Sequence, residues 1–437
     1  MRIAYLVAEY PRISETFVQS EIERHRAAGL DVTVVSLFPC SDKRLRTDVP
    51  VECLDVHPTP SVRLLLASAA VLRMLRTAPR AALESVRYRK YRDLVRRQLV
   101  CRLLERWPGP VDRFDIVHSH FGPMGLLASA LRHAGRSRAA LVTTFHGVDI
   151  SETVDRYGQR YYAPLFAVGD RFLGVSEYWA NSLRSMGAPA DRIRVQHMGV
   201  DCDKLTFRPR SREDRAHTQL ISIGRLTEKK GHEYTLRALA LLRAQSPELD
   251  VRLDIVGGGP LRGDLLALRA ELGLEQNVQL HDSLPHARVV ELLEQADLFV
   301  LPSVTARSGD MEGIPVSLME AMAQGLPVVS TQHSGIPELV AHERCGLLVP
   351  ERNVAELARA LAQLVREPTR WEPMGREGRA IVEREFDSAR LGEQLRQDYA
   401  DMLAAAQRRA AGSAPSGAPP PRSKLSGNEP SSAASSD

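Results

Sequence analysis

The segment GDMEGIPVSLMEAMAQG, Gly309–Gly325, sets two carboxylates, Glu312 and Glu320, around the start of a helical pattern. Proline suits a first helical turn and glycine a helix end, so Pro315 and Gly325 bracket the helix. Glu312 then falls on the preceding loop and Glu320 just over one turn inside. The first amides, around Ile314 to Ser317, are unpaired and partly positive, which makes them an anion site. Carboxylates accept hydrogen bonds from sugar hydroxyls. Phosphate donors flanked by carboxylates therefore suit a sugar joined to a diphosphate. A surface helix with scattered acids fits this one segment equally well.

Two further clusters add to it. GRLTEKKGHEY, Gly224–Tyr234, directly follows the β-branched run Gln219–Ile223. Arg225 and Lys230 then sit at the carboxyl end of a strand, where two cations can hold a diphosphate and neutralise the charge that grows as it leaves. Losing one such group commonly costs ~10²–10³ in rate. In TFHGVDI, Thr144–Ile150, His146 can donate a hydrogen bond to a sugar, and Gly147 allows close backbone approach. Taken singly, a cation pair is more often solvated surface and a histidine more often structural. Their common position after strands favours function.

Other patterns carry less. Gly257-Gly258-Gly259-Pro260 lacks the full G-x-G-x-x-G spacing of a dinucleotide site. Asp201-Cys202-Asp203 has a D-x-D form but lies at a linker with no evident third ligand. His118-Ser119-His120 could begin a metal site, yet the sequence clusters no further ligands beside it. No serine elbow, Walker lysine loop or kinase signature occurs.

The elements that must position these residues are short strands alternating with helical stretches. Ile3–Val7, Val32–Leu37, Ile116–His118, Leu141–Thr144, Phe172–Val175 and Ile193–Gln196 form one series. Gln219–Ile223, Val251–Val256, Val278–His281, Leu298–Leu301, Val328–Ser330 and Gly346–Val349 form a second. This alternation predicts an α/β protein of two Rossmann-like domains, residues 1–198 and 199–387, whose parallel sheets face a central cleft. Ser388–Gln407 reads as a closing helix, with the helical segment bounded at 388–410. Residues 411–437, rich in Ser, Pro, Ala and Gly, read as disordered. Ser61–Arg106 holds twelve Lys/Arg against three acids and predicts one or two basic amphipathic helices. These fit either a solvated face or an anionic membrane surface.

The 437 residues suit two domains, and 43 % hydrophobic with 26 % charged residues excludes a fibrous or mostly disordered chain. A net charge of +4 gives no basic field for nucleic acid. Five scattered cysteines fit a reducing cytoplasm rather than a disulfide scaffold or zinc ribbon. MRIAYLVAEY reads as a buried first strand, not a targeting segment, and no apolar stretch reaches the ~18 residues of a membrane span. The expected location is cytoplasmic, possible also on the inner face of the plasma membrane.

Together and in this order, TFHG (Thr144–Gly147), SEY (Ser176–Tyr178), MGVD (Met198–Asp201), GRLTEKKG (Gly224–Gly231) and EGIPVSLMEAMAQGLPVV (Glu312–Val329) resemble glycosyltransferase family 4. These are retaining, metal-independent transferases of GT-B fold. Tyr10–Gly29 and HSHFG, His118–Gly122, look like its exopolysaccharide subgroup, of colanic acid and amylovoran type. The resemblance implies a UDP-sugar or GDP-sugar donor, no cofactor, no metal and a lipid-linked oligosaccharide acceptor. It puts Arg225 and Lys230 on the diphosphate, Glu312 on the donor sugar, Glu320 on the ribose and the backbone of Gly313, Ile314, Pro315 and Val316 on the phosphates. It also puts His146 near the reaction centre, His120 among the substrate contacts and Leu284, in the loop Asp282–Pro285, beside the base. Many relatives carry a Gly-Gly loop after the first strand. Here Pro11–Thr16 stands there, so Ser14 or Thr16 takes over its contacts. The readings that compete are another sugar-nucleotide enzyme (an epimerase or a soluble sugar-phosphate synthase), a non-catalytic sugar-nucleotide-binding partner and, more distantly, an oxidoreductase.

Overall fold

The computed structural model describes residues 1–12, 15–42, 45–211 and 216–412. Ser14 and the expected tail beyond residue 412 lie outside the described residues.

Seven strands form the first sheet: β1 (Arg2–Glu9), β2 (Asp31–Phe38), β3 (Val51–Cys53), β4 (Ile116–His120), β5 (Ala140–Phe145), β6 (Arg171–Gly174) and β7 (Ile193–Val195). Six form the second: β8 (Thr218–Ile223), β9 (Val251–Val256), β10 (Val278–His281), β11 (Leu298–Leu301), β12 (Val328–Thr331) and β13 (Gly346–Val349). The orders are 3-2-1-4-5-6-7 and 10-9-8-11-12-13, and the paired strands run parallel. Helices cover both faces, so strands such as β1 and β11 are nearly continuous apolar runs. Ile3, Ala4, Tyr5 and Leu6 are all fully buried. Separate apolar clusters occupy the two faces of each sheet.

Every strand expected from sequence is present, within two residues at its ends. The one not anticipated is β3, a three-residue edge strand with half-exposed side chains and no apolar run to reveal it. In both sheets the order reverses beside the first strand, between β1 and β4 and between β8 and β11. An open parallel sheet leaves a crevice at such a point, beyond the strands' carboxyl ends.

The chain does not stay in the second domain. After the helix Trp371–Glu385 it crosses back beside the linker, where Val200 N–H donates to Phe386 O (3.0 Å). The helix Ser388–Gly412 then packs Leu395 and Tyr399 into the first domain's core, and Arg171 pairs with Asp398 at 2.8 Å.

The basic segment departs from expectation. It forms five helices, Pro60–Thr77, Pro79–Ser85, Tyr88–Tyr91, Asp93–Arg96 and Leu99–Arg106, rather than one or two. Pro79 and positive φ at Arg92 (43°) and Gln98 (56°) interrupt it. Its last part is structural. Leu99, Val100, Cys101, Leu103 and Leu104 are buried, and Arg102 donates to the carbonyls of Leu54 and Asp55.

Candidate active site

The cleft is an open space of about 1740 Å³ between the domains. Thr16, Phe17 and His146 line it from one side. Arg225, Lys230, Glu312 and residues 313–317 line it from the other. The three sequence clusters thus converge at carboxyl ends of strands: GRLTEKKG after β8 and EGIP after β11, the two strands flanking the second sheet's switch point, and TFHG at the end of β5, the neighbour of β4 in the first sheet.

The helix behind the Gly309–Gly325 segment runs Val316–Ala323, with Pro315 as its N-cap and Gly325 just past its end at φ +85°. The amides of Gly313, Ile314, Val316 and Ser317 donate no hydrogen bond among the described residues. Pro315 has no N–H, so of residues 313–316, expected on the phosphates, it alone cannot donate, and Ser317, already expected in the anion site, supplies the fourth amide. Four free donors at a helix N-terminus are an anion site.

Glu312 precedes them, buried at 7 % exposure. Its carboxylate lies 3.1 Å from Lys230 Nζ and 3.8 Å from Lys229 Nζ, and Lys229 also meets Asp310 at 3.1 Å. Burial pushes the Glu312 carboxyl up, but Lys230, Lys229 and His333 outweigh it and hold it below the usual carboxylate value. Its Oε1 accepts no hydrogen bond among the described residues. The loop is held at both backbone groups. Glu312 N–H donates to His333 Nε2 (3.1 Å), and Glu312 O accepts from Trp179 Nε1 (3.0 Å) and Ser334 Oγ (2.7 Å).

Arg225 is exposed at the cleft, with no hydrogen bond or ion pair to its guanidinium among the described residues. The Gly257–Gly259 turn explains its glycines by packing against this loop. A Cβ on Gly257 would lie 2.0 Å from Gly224 O, and one on Gly259 2.5 Å from Leu226 O. Glu320 sits one turn beyond Ser317. Burial pushes its carboxyl up to about 7, and its recorded charge partner is His286 at 3.9 Å. Leu284 is partly buried against the second domain's core, and its neighbour Ser283 lines the adjoining cavity with Arg225 and Gly258.

On the opposite wall, His146 packs at a tilt against Phe17 (4.8 Å between ring centres) and Phe121 (4.6 Å). Burial and His120 push it well below the usual histidine value, so the ring is neutral. The loop is tied down by Asp149, whose Oδ1 accepts from the amides of His146 and Gly147, each at 2.9 Å. Its Oδ2 accepts from Gly122 N–H at 2.7 Å, and burial raises this carboxyl to about 6. Gly147 and Gly313 let the two walls touch: a Cβ on Gly147 would stand 3.1 Å from Met311 O, and one on Gly313 3.0 Å from His146 O.

His120 lines a smaller adjoining cavity with Glu21 rather than the cleft. Its Nδ1 is 3.0 Å from His146 Nε2, so it reaches the cleft through that ring. Glu21 also corrects the view that nothing joins the His118–His120 pair. Its Oε1 lies 3.4 Å from His118 Nδ1 and from His120 Nε2, and the three offer ligand atoms within 4.8 Å. Both nitrogens of His118 already meet hydroxyls, Thr144 Oγ1 at 2.7 Å and Tyr399 at 2.6 Å. His120 Nε2, by contrast, is buried without a hydrogen bond among the described residues. Asp201 of the D-x-D pattern pairs with Arg24 (3.4 Å) and Lys204 (3.0 Å). Glu21, Asp149, Lys229 and His333 received no role from sequence. Asp149 and Lys229 stood within quoted motifs and Glu21 within Tyr10–Gly29, whereas His333 stood outside them.

Residues 14–204 match the profile of Glycosyltransferase Family 4, and residues 203–381 that of Glycosyl transferases group 1. WcaL of Salmonella typhimurium, named for colanic acid biosynthesis, is 35 % identical over 418 residues, 90 % of this chain and 98 % of that protein. The amylovoran biosynthesis glycosyltransferase AmsK of Erwinia amylovora is 34 % identical over 397 residues, 89 % and 96 % of the two chains. Among solved structures, Anabaena HepE in complex with UDP aligns with a TM-score of 0.68 at 20 % identity, over 92 % of this chain and all of that one. Sucrose-phosphate synthase from Thermosynechococcus elongatus aligns with 0.69 at 19 %, over 93 % and 100 %. These two likenesses bear on fold. With two switch-point sheets meeting at one cleft and relatives matched almost end to end, the chain belongs to glycosyltransferase family 4 and is a glycosyltransferase of GT-B fold.

Proposed function

We propose that the protein moves a hexose from a nucleotide-diphosphate sugar, UDP- or GDP-linked, to a lipid-linked saccharide in exopolysaccharide or capsule synthesis. Transfer retains the anomeric configuration and uses no metal or cofactor. The names of WcaL and AmsK support the setting, and the UDP complex of HepE supports the donor class.

One observation carries the reading. Glu312 Oε1 is a buried acceptor without a hydrogen bond, beside Lys230 and directly before four free amides. Its charge contact, Lys229 Nζ at 3.8 Å, is too long for a hydrogen bond, and a sugar hydroxyl would supply the missing one. The diphosphate then lies on the amides of Gly313, Ile314, Val316 and Ser317, with Arg225 and Lys230 over its charge. Glu320 accepts the ribose hydroxyls, and the stretch around Leu284 meets the base. Thr16 stands at the diphosphate side of the other wall.

In the transfer, the bond from the anomeric carbon to the leaving phosphate oxygen breaks. A bond from that carbon to the acceptor oxygen forms on the same face. The acceptor proton passes to the departing phosphate, whose charge Arg225 and Lys230 stabilise. Neutral His146 donates or accepts one hydrogen bond at the sugar without adding charge. Closure of the domains excludes water from the reacting centre.

Saturation-transfer NMR against UDP-, GDP- and ADP-sugars, with Lys230→Ala as control, tests this. Selective binding of one donor, lost in the variant, is the expected result. Binding to none, even with a lipid-linked acceptor added, overturns the proposal.

A further inference from the structure

Eleven large hydrophobic side chains are exposed among the described residues, and eight of them lie between Leu64 and Tyr88. The helix Pro60–Thr77 buries Ala70 and Met74 against the first domain. At about 100° per residue, Leu64, Leu65, Leu72 and Leu75 fall within an arc of roughly 100° on the opposite side. Leu65 is 71 % exposed and Leu72 66 %. Leu83, Val86 and Tyr88, all more than half exposed, continue the patch over the next two helices. A helix that is apolar on both faces is normally covered on both. Here the outer face is bare among the described residues.

The charge around the patch has one sign. Residues 60–90 hold seven basic side chains and one acid, Glu84. That acid is buried and paired with Arg87 (3.2 Å) and Lys90 (2.7 Å). Arg76, Arg80 and Arg89 are exposed and have no ion pair among the described residues. Of the later arginines of the basic segment, Arg92 is tied to Tyr157 O and Arg102 to Leu54 O.

We infer that this face, led by its leucines and rimmed by Arg76, Arg80 and Arg89, lies on the surface of a bilayer containing anionic lipid. The 18-residue helix would lie flat along it for ~27 Å. No helix among the described residues is long and apolar enough to cross a membrane, which fits surface attachment rather than spanning. A second copy of the chain is the poorer partner, because a two-fold contact would bring like-charged arginine rims together. Residues 413–437 offer a single large apolar side chain, Leu425, and cannot cover the patch. The inference rests on this surface and not on the transferase proposal, so vesicle binding and donor binding can fail separately.

The test is co-sedimentation of the full chain with vesicles of phosphatidylcholine alone and with added phosphatidylglycerol. The wild type is expected to bind the anionic vesicles at least ~10-fold more tightly than the neutral ones. Leu72→Ser/Leu75→Ser should lower binding to anionic vesicles at least ~10-fold, because it removes the inserted apolar area. Arg76→Gln/Arg80→Gln should mainly erase the preference for anionic lipid. These side chains are exposed, so an unchanged thermal midpoint shows that the variants fold. Absence of vesicle binding by the wild type, or equal binding by the leucine variant, overturns the inference. So does a dimer in sedimentation velocity that dissociates on Leu72→Ser/Leu75→Ser.

Discussion

Lys230 Nζ lies 3.1 Å from Glu312 Oε2, so a residue proposed to hold the donor's phosphate and one proposed to hold its sugar are ion-paired with each other. Lys230 helps hold the Glu312 carboxyl below its usual value inside the cleft wall. A donor must insert between partners that already neutralise one another, and this ties phosphate binding to sugar binding.

Glu312→Ala and Lys230→Ala are each expected to lower turnover at least ~10²-fold while the fold survives, since each removes an electrostatic contact made at the departing phosphate or the sugar. Because the groups are paired, the double variant should cost less than the product of the two single losses. Steady-state rates checked by circular dichroism decide the matter. Near-wild-type rates in a folded single variant would remove that residue from the mechanism.

Donor affinity should depend on the protonation of Glu320. Burial raises this carboxyl to about 7, so below that pH the free protein carries it as the neutral acid. A ribose diol is best accepted by the carboxylate. Affinity is therefore expected to climb by up to ~10-fold per pH unit as pH rises toward about 7, and to level off above it. For folding the sign is opposite. Stability linked to Glu320 is full below the ordinary carboxylate value and is lost as pH rises through about 7. Calorimetric titration of the donor across this range reads the effect, which Glu320→Gln should flatten. A level profile in the wild type would count against ribose recognition by Glu320.

His120 is expected to act through His146, since its Nδ1 meets His146 Nε2 at 3.0 Å and its own ring stands outside the cleft. His120→Ala should lower kcat about 10-fold or more, with little change in donor KM, by letting the His146 ring turn. His120→Asn places an amide near the lost nitrogen and should recover much of the rate. Equal loss in both variants, or a rise in KM alone, would argue against a positioning role.

Chelator treatment is expected to leave turnover unchanged, because in the proposed site amides and the side chains of Arg225 and Lys230 neutralise the diphosphate. The Glu21–His118–His120 group gives this test its sharpest control. If chelation lowers the rate and His118→Ala lowers bound metal measured by mass spectrometry, the metal-free mechanism falls.

Strands such as β1 and β11 were legible because buried parallel strands are near-continuous apolar runs, as in Ile3–Val7 and Leu298–Leu301. β3 escaped because an edge strand of three half-exposed residues needs no such run. The Gly309–Gly325 segment was readable because its meaning is local: a loop acid, a proline at the helix start and a glycine at its end. Glu21 was not. Within Thr16–Ala27 it looks like any acid of an amphipathic helix, and only folding brings it to two histidines from β4. His333 stayed hidden for the same reason, since its bond to Glu312 N–H joins residues 21 positions apart.

Glu338 belongs to the second domain, yet its carboxylate accepts from the amides of Glu177 (2.7 Å) and Tyr178 (3.0 Å), the first residues of a first-domain helix. One domain thus finishes a helix that begins in the other. Parting the domains strips those amides, at a cost of about 1 kcal/mol for a lost helix cap. In the proposed reaction the contact would act as a catch on the hinge, undone when the cleft opens to release the nucleotide. Glu338→Ala should loosen the catch, seen as faster hydrogen exchange at the start of the Glu177–Ser185 helix and, where opening limits turnover, a faster release of the spent nucleotide.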